Sequence, residues 1–218
     1  TGAHPKCWSA DGTQILFWTD QNGKPQIVLS KVETYPARLV LSDENADLSF
    51  PRLAPGGKQL LYEARLADRS IELRVTDLTT QATRIVFKTA PNYSPDYHLL
   101  PAWSPDAARI AFNDKPAGNS EIFVINSDGS SLQNLTDDPM LDANPIFSPD
   151  GGEIIFVRDF YGQSKLYRMN TDGSNLRRLT EKEGFEWNGA FSPDGSFLAF
   201  ASDRQQTDSR GLDIFLLD

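Results

Sequence analysis

Phe147-Ser148-Pro149-Asp150-Gly151-Gly152-Glu153-Ile154-Ile155-Phe156 decides how this chain folds. Its first half is a turn, and its second half is a short apolar run closed by an aromatic. Proline presets the backbone at the second position of a turn, aspartate suits the third, and glycine accepts the left-handed conformation that closes it. The phrase returns as Trp103-Ser104-Pro105-Asp106 and Phe191-Ser192-Pro193-Asp194-Gly195. Worn copies are Trp8-Ser9-Ala10-Asp11-Gly12 and Leu53-Ala54-Pro55-Gly56-Gly57. The leading residues Trp8, Leu53, Trp103, Phe147 and Phe191 are 45, 50, 44 and 44 residues apart. A period of that size marks a repeat architecture.

A second column keeps the same spacing: Phe17, Tyr62, Phe112, Phe156 and Phe200. A polar gap follows each, and then another apolar run, as in Ile27-Val28-Leu29, Leu73-Arg74-Val75, Ile122-Phe123-Val124, Leu166-Tyr167-Arg168 and Ile214-Phe215-Leu216. Repeats three and four continue through Asp128-Gly129-Ser130 and Asp172-Gly173-Ser174 to Leu135-Thr136 and Leu179-Thr180. Runs this short, rich in Ile, Val, Phe and Tyr and bounded by turn residues, are strands. Each repeat therefore predicts a four-stranded antiparallel meander, strands a to d. Such a sheet has two apolar faces, and radial packing of successive sheets buries both. The expectation is an all-β chain: one β-propeller domain over 1–218, with five repeats visible and the last lacking its fourth strand. Asp11, Gly12, Asp106, Asp150, Gly151, Asp194 and Gly195 are structural turn residues in this reading. The absent strand favours a piece of a longer protein or a trimmed domain, with a five-bladed ring the simplest geometry and six blades in the parent the alternative.

Composition narrows the function. The net charge is −9, which argues against nucleic acid, whose affinity comes largely from lysine and arginine on phosphates. No apolar stretch is long enough to span a membrane, and one cysteine, Cys7, excludes an internal disulfide and reads as a plain buried thiol. With two histidines, His4 and His98, and no Gly-x-Ser-x-Gly elbow, no catalytic triad is expected. The Asp-Gly pairs lack the alternating oxygen ligands of a calcium loop. No catalytic residue, metal or cofactor is assigned.

The combination of aromatic-Ser-Pro-Asp-Gly, an apolar run ending in Phe, and then Asp-Gly-Ser and Leu-Thr resembles the WD40-like PD40 repeat of the TolB propeller family. It is strongest over 99–218. Over 1–98 Ala10 replaces the proline, Gly56 the aspartate, and the Asp-Gly-Ser and Leu-Thr signatures are missing. The resemblance implies a non-enzymatic, monomeric scaffold in the periplasm or cell envelope. Its implied partner is a protein or peptide, such as an envelope lipoprotein or another Tol-like component. Similar repeats form the substrate-filtering propellers of prolyl-oligopeptidase-like and tricorn-like peptidases, which is the alternative function; a propeller hydrolase with a channel metal is the second alternative.

Alternation along a meander puts the b–c and d–a loops on one face. The d–a loops carry Asp43, Glu44, Asp47, Asp96, Asp137, Asp138, Asp142, Glu181, Glu183 and Glu186 against Lys182. This acidic channel mouth reads as a solvated rim, a steering surface for a basic partner, or a cation site at Asp142 and Glu186, which both stand five residues before an anchor. The same face carries Tyr93, Tyr97 and His98 in the long 89–98 loop, Tyr161 in a b–c loop, and Phe185 and Trp187 in the last d–a loop. Exposed Tyr and Trp with an acidic border suit a protein interface; closure over the core is the other reading of Phe185 and Trp187. The partner-binding candidates are Tyr93, Tyr97, His98, Asp137, Asp138, Asp142, Tyr161, Phe185, Glu186 and Trp187.

Overall fold

The computed structural model describes residues 3–8, 12–19, 25–31, 38–160, 163–192, 194–204 and 211–218. Asp11 and Tyr161, and the side chain of Cys7, lie outside what is described. Five antiparallel sheets form a five-bladed β-propeller. The first blade holds β1 (Ala3–Trp8), β2 (Gln14–Thr19), β3 (Gln26–Lys31) and β4 (Arg38–Leu41). The second holds β5 (Ala46–Leu53), β6 (Gln59–Leu66), β7 (Ile71–Asp77) and β8 (Thr83–Lys88). The third holds β9 (Ala102–Trp103), β10 (Arg109–Asp114), β11 (Glu121–Asn126) and β12 (Gln133–Asn134). The fourth holds β13 (Leu141–Phe147), β14 (Glu153–Phe160), β15 (Gln163–Asn170) and β16 (Arg177–Arg178). The fifth has three strands, β17 (Glu186–Phe191), β18 (Leu198–Ser202) and β19 (Asp213–Leu217), as the repeat count predicts.

Within every blade sequence order is spatial order, so each is a plain meander. First strands of neighbouring blades touch, β1 with β5, β9 with β13 and β13 with β17, which places strand a at the propeller axis. The Ser-Pro-Asp-Gly turn is held by its own side chains. Ser148 Oγ donates to Asp150 Oδ1 at 2.5 Å, and the Gly152 N–H donates to the same oxygen at 3.0 Å. Glu153 N–H then donates back to Ser148 Oγ at 2.9 Å. Ser104 and Asp106, and Ser192 and Asp194, repeat the arrangement at 2.6 Å each. The closing residue is left-handed in every copy described: Gly12, Gly57, Ala107, Gly151 and Gly195 have φ between 58° and 74°.

The aromatic column forms the seams. Tyr62, Phe112, Phe156 and Phe200 are each 2% exposed or less. Each packs against apolar residues of the preceding blade: Tyr62 on Leu16 and Ile27, Phe112 on Leu61 and Leu73, Phe156 on Ala111 and Val124, Phe200 on Ile155 and Val157. Burying each ring stabilises the array by ~1.5–3 kcal/mol. Leu-Thr has a separate duty. Thr136 Oγ1 accepts from Ile122 N–H at 2.9 Å, and Thr180 Oγ1 from Leu166 N–H at 3.1 Å. The second blade does the same with Thr89, which accepts from Ile71 N–H at 2.9 Å. The Leu-Thr signature missing from the second repeat is thus replaced by Lys88-Thr89, because the bond needs only the hydroxyl.

Candidate interaction face

Of the d–a carboxylates, Asp142 and Glu186 turn inward, and Asp43 and Asp138 are half-buried. Asp142 is fully buried and receives Arg158 Nε at 2.7 Å and Nη2 at 2.6 Å. The same guanidinium reaches Asp138 at 2.7 Å and lies over the rings of Phe156 and Tyr167, 5.6 and 5.3 Å from their centroids. Burial pushes the Asp142 carboxyl above its ordinary pKa, and Arg158 opposes that shift. Ser120 fixes the backbone, its hydroxyl donating to Asp142 O at 2.8 Å. Glu186 repeats the plan one blade later. It is fully buried, pairs with Arg204, accepts from Thr180 Oγ1, and takes the Leu166 N–H at 3.2 Å. Arg204 stands 4.7 Å from the ring centroids of both Phe200 and Phe215. Asp43 pairs with Arg74 at 2.6 Å.

This corrects the expectation for Asp142 and Glu186 alone, since Glu44, Asp47, Asp96, Asp137, Glu181 and Glu183 are exposed. Asp142 and Glu186 occupy equivalent places because they pin each d–a loop to its blade, and neither is available at the surface. The neutralising arginines lie in or just after strands b and c, away from the loops in sequence, so a charge count over loops alone misses them. Among the described residues no group of three or more His, Cys, Asp or Glu is placed to hold a metal ion.

The 89–98 loop is a second correction. Tyr93 is 8% exposed, and its hydroxyl donates to Asp114 Oδ1 at 2.6 Å. Burial raises both partners: the Tyr93 phenol is pushed up, and so is the Asp114 carboxyl. Tyr97 is half-buried, its ring edge-on to Tyr93 at 5.3 Å, and Lys115 Nζ sits 4.3 Å from its centroid. Burial pushes the Tyr97 phenol up to about 12. Arg65 donates to Ser94 O at 3.3 Å and to Tyr97 O, and Arg69 donates to Asn92 Oδ1 at 3.1 Å. The loop is therefore seated between the second and third blades. Its length supplies two rings to that seam, which removes Tyr93 from the exposed face.

His98 is anchored and partly open. Its Nδ1–H donates to Glu63 Oε2 at 3.0 Å, because a carboxylate can only accept. Glu63 is 1% exposed and also receives the N–H groups of Leu99 and Leu100, both at 2.9 Å on Oε1. The imidazole lies against Phe50, with ring centroids 4.4 Å apart. Phe185 and Trp187 are 48% and 42% exposed, so they do not close over the core. Leu141, six residues before Phe147 as Phe185 is before Phe191, is 48% exposed beside them in the repeat. Asp137 is exposed and Asp138 half-exposed. Sequence reasoning missed Leu141, and also Glu63, Arg158 and Arg204. The shared offset from the anchor would have found the first.

The sequence profile of the TolB beta propeller domain matches residues 97–213. Among curated proteins, the Tol-Pal system protein TolB of Anaeromyxobacter dehalogenans strain 2CP-C is 32% identical over 106 residues, 49% of this chain and 23% of that protein. The matched region thus spans about a quarter of the length of this curated relative. The crystal structure of TolB from Acinetobacter baumannii superposes with a TM-score of 0.78 at 20% identity, over 98% of this chain and 51% of that one. A TolB described as putative from Agrobacterium tumefaciens gives 0.81 at 22%, over 99% and 76%. The fold is shared with enzymes: an oligogalacturonate lyase in complex with manganese gives 0.71 at 17% identity, over 97% of this chain and 60% of that one. The profile covers more than half of the chain, and its residues are those whose turns, column aromatics and Leu-Thr bonds build the third to fifth blades. The chain belongs to the TolB β-propeller family.

Proposed function

We propose that this propeller is a binding scaffold that takes a protein partner of the cell envelope on its b–c/d–a face. One observation carries the reading: Leu141 and Phe185, each six residues before its anchor in the fourth and fifth blades, and Trp187, two residues after Phe185, are all large apolar side chains left exposed. Large apolar side chains on a polar rim are the composition of interface hot spots. The name of the curated relatives, a Tol-Pal system protein, supports an envelope partner and a periplasmic location. Steering of a basic partner falls to Asp137 and its exposed neighbours; Asp142 and Glu186 act through the fold.

The test is titration calorimetry of the chain with the soluble domain of the peptidoglycan-associated lipoprotein from the same genome. The expected result is binding, weakened about tenfold or more by Phe185→Ala with Trp187→Ala, since each hot-spot truncation costs ~1–2 kcal/mol or more. Absence of heat with the unmodified chain sinks the envelope-partner reading. Undiminished binding by the double variant moves the contact away from this patch.

A further inference from the structure

The seam between the fourth and fifth blades departs from the seam before it. Between the third and fourth blades, Val124 of β11 meets Phe147, Ile154 and Met169, and all four are 7% exposed or less. Arg109 completes that seal, with its guanidinium 5.6 Å from the Phe147 ring centroid. Each of these places recurs one blade later. Phe112 pairs across its sheet with Phe123 and Phe156 with Tyr167, so the next residues, Val124 and Arg168, are equivalent. Arg109 and Glu153 are equivalent as well, three residues before the column aromatic. The anchor is now Phe191, and Leu198 and Leu217 stand where Ile154 and Met169 stood.

Two changes in the repeat unseal this later seam. The other blades carry Leu29, Val75, Val124 and Leu216 where the fourth carries Arg168. Glu153 brings no cation to the anchor ring and turns to Arg168 instead, Oε2 standing 3.3 Å from Nη1. Phe191 and Leu217 are left half-buried. What opens is a cavity of about 350 Å³, within the size range of small-molecule sites. Its apolar lining is Ile155, Leu179, Phe191, Leu198 and Leu217, and Arg168 is its polar wall. Arg168 Nε is enclosed and has no hydrogen-bond partner among the described residues. A buried donor in that state is destabilising until an acceptor reaches it.

These features define what the cavity takes. The unmatched donor calls for an acceptor, and the apolar lining calls for a hydrocarbon body. Arg168 opposes a cation inside. Asp150 and Asp194 stand at the rim and oppose an anion; Ser148 and Ser192 hold their carboxyls below the ordinary range, so both stay charged. We infer that the seam between the fourth and fifth blades binds a small uncharged molecule with an apolar ring and one carbonyl group. The ring lies against Phe191, as Arg109 lies on Phe147 one blade earlier, and the carbonyl accepts from the Arg168 guanidinium. The cavity opens among the a–b turns, on the face opposite Phe185 and Trp187. It therefore goes beyond the scaffold reading and needs nothing from it.

The experiment is a ¹⁵N–¹H NMR titration of the whole chain with phenylacetamide, which has one ring and one uncharged carbonyl. The Arg168 Nε–H signal and the main-chain amides of Leu198 and Leu217 should shift and saturate together, while those of Phe185 and Trp187 stay in place. Two variants restore the sealed arrangement of the third blade. Arg168→Val fills the cavity wall as Val124 does, and Glu153→Arg supplies over Phe191 the cover that Arg109 gives Phe147. Each should weaken phenylacetamide about tenfold, the size of one lost hydrogen bond or a filled contact, and Arg168→Val should not lower the thermal midpoint. Phenylacetate and phenethylamine keep the ring and exchange the carbonyl amide for an anion or a cation, and both should bind more weakly. Absence of a saturable shift at Arg168, or unchanged affinity in Arg168→Val, overturns the site. Equal or tighter binding of phenylacetate or phenethylamine overturns the assignment to an uncharged ligand.

Discussion

Asp142 and Asp150 belong to one blade and are separated only by strand β13 and the start of its turn, yet they live in opposite electrostatic worlds. Asp142 is fully enclosed, held by Arg158, and pushed upward in pKa by burial. Asp150 is exposed, and the Ser148 hydroxyl, followed by the Gly152 N–H, holds its carboxyl below the ordinary range. The first is a buried charge that is tolerable only because its partner is present; the second is a local hydrogen-bond acceptor that water could almost replace. The lesson extends to Glu186 and Asp194 one blade later. A count of acids on a propeller face therefore says little about the charge a partner meets.

The widest separation between the two classes should appear on deletion. Asp142→Ala leaves Arg158 buried without its main counter-charge and should cost ~3–5 kcal/mol in denaturant unfolding. Joint replacement of Asp142 and Arg158 by leucine should recover much of that loss. Equal stability of Asp142→Ala and the unmodified chain would show that the pair is not anchoring the loop.

On the turn side the expected effects are smaller. Ala107 occupies the left-handed place that Gly151 and Gly195 fill in later turns, with φ 58°. Ala107→Gly should stabilise the chain by about 1 kcal/mol, because the Cβ conflict is removed. A thermal midpoint that falls instead would mean the alanine side chain packs usefully.

The smallest effect is in acid. The carboxyl of Asp194 is lowered to about 2 by Ser192 and then Ser196, from an ordinary 3.8. A depressed carboxylate binds its proton less readily when folded, so its contribution is present above about pH 4 and is lost as pH falls toward 2. Asp142 runs the other way, since folding raises its proton affinity. Asp194→Asn should therefore flatten the stability-versus-pH curve between about pH 4 and pH 2, lowering stability near neutrality and leaving it unchanged below about pH 2. A curve that keeps its full slope would assign acid sensitivity to other groups.

Much of the fold was legible because the repeat is local chemistry. Ser148-Pro149-Asp150-Gly151 carries every group its turn uses, and Phe112, Phe156 and Phe200 recur at a spacing no single helix or sandwich imposes. The candidate face was less legible. Phe185 and Trp187 were visible as aromatic residues in a d–a loop, and they are exposed; Tyr93 looked equivalent, and Asp114, twenty-one residues later, draws it into the 2|3 seam. The left-handed break in strand a, at Phe50, Leu100 and Asn144, was legible in hindsight from Pro51, Pro101 and Pro145, each two residues before an anchor. Which side chain of the preceding blade accepts from it was not, since Glu63 and Asn113 meet Leu100 and Asn144 only across a seam.

Taken alone, then, the sequence determined the strands, their turns and the radial stacking, because each is written in contacts between residues close along the chain or related by the period. The tertiary structure decided which acids are paired and which aromatics are exposed. Those outcomes depend on pairs such as Asp142 with Arg158, Tyr93 with Asp114 and Glu63 with Leu100, where partners meet only after separate segments or blades come together. Burial and pairing are properties of that meeting, and no single segment carries them.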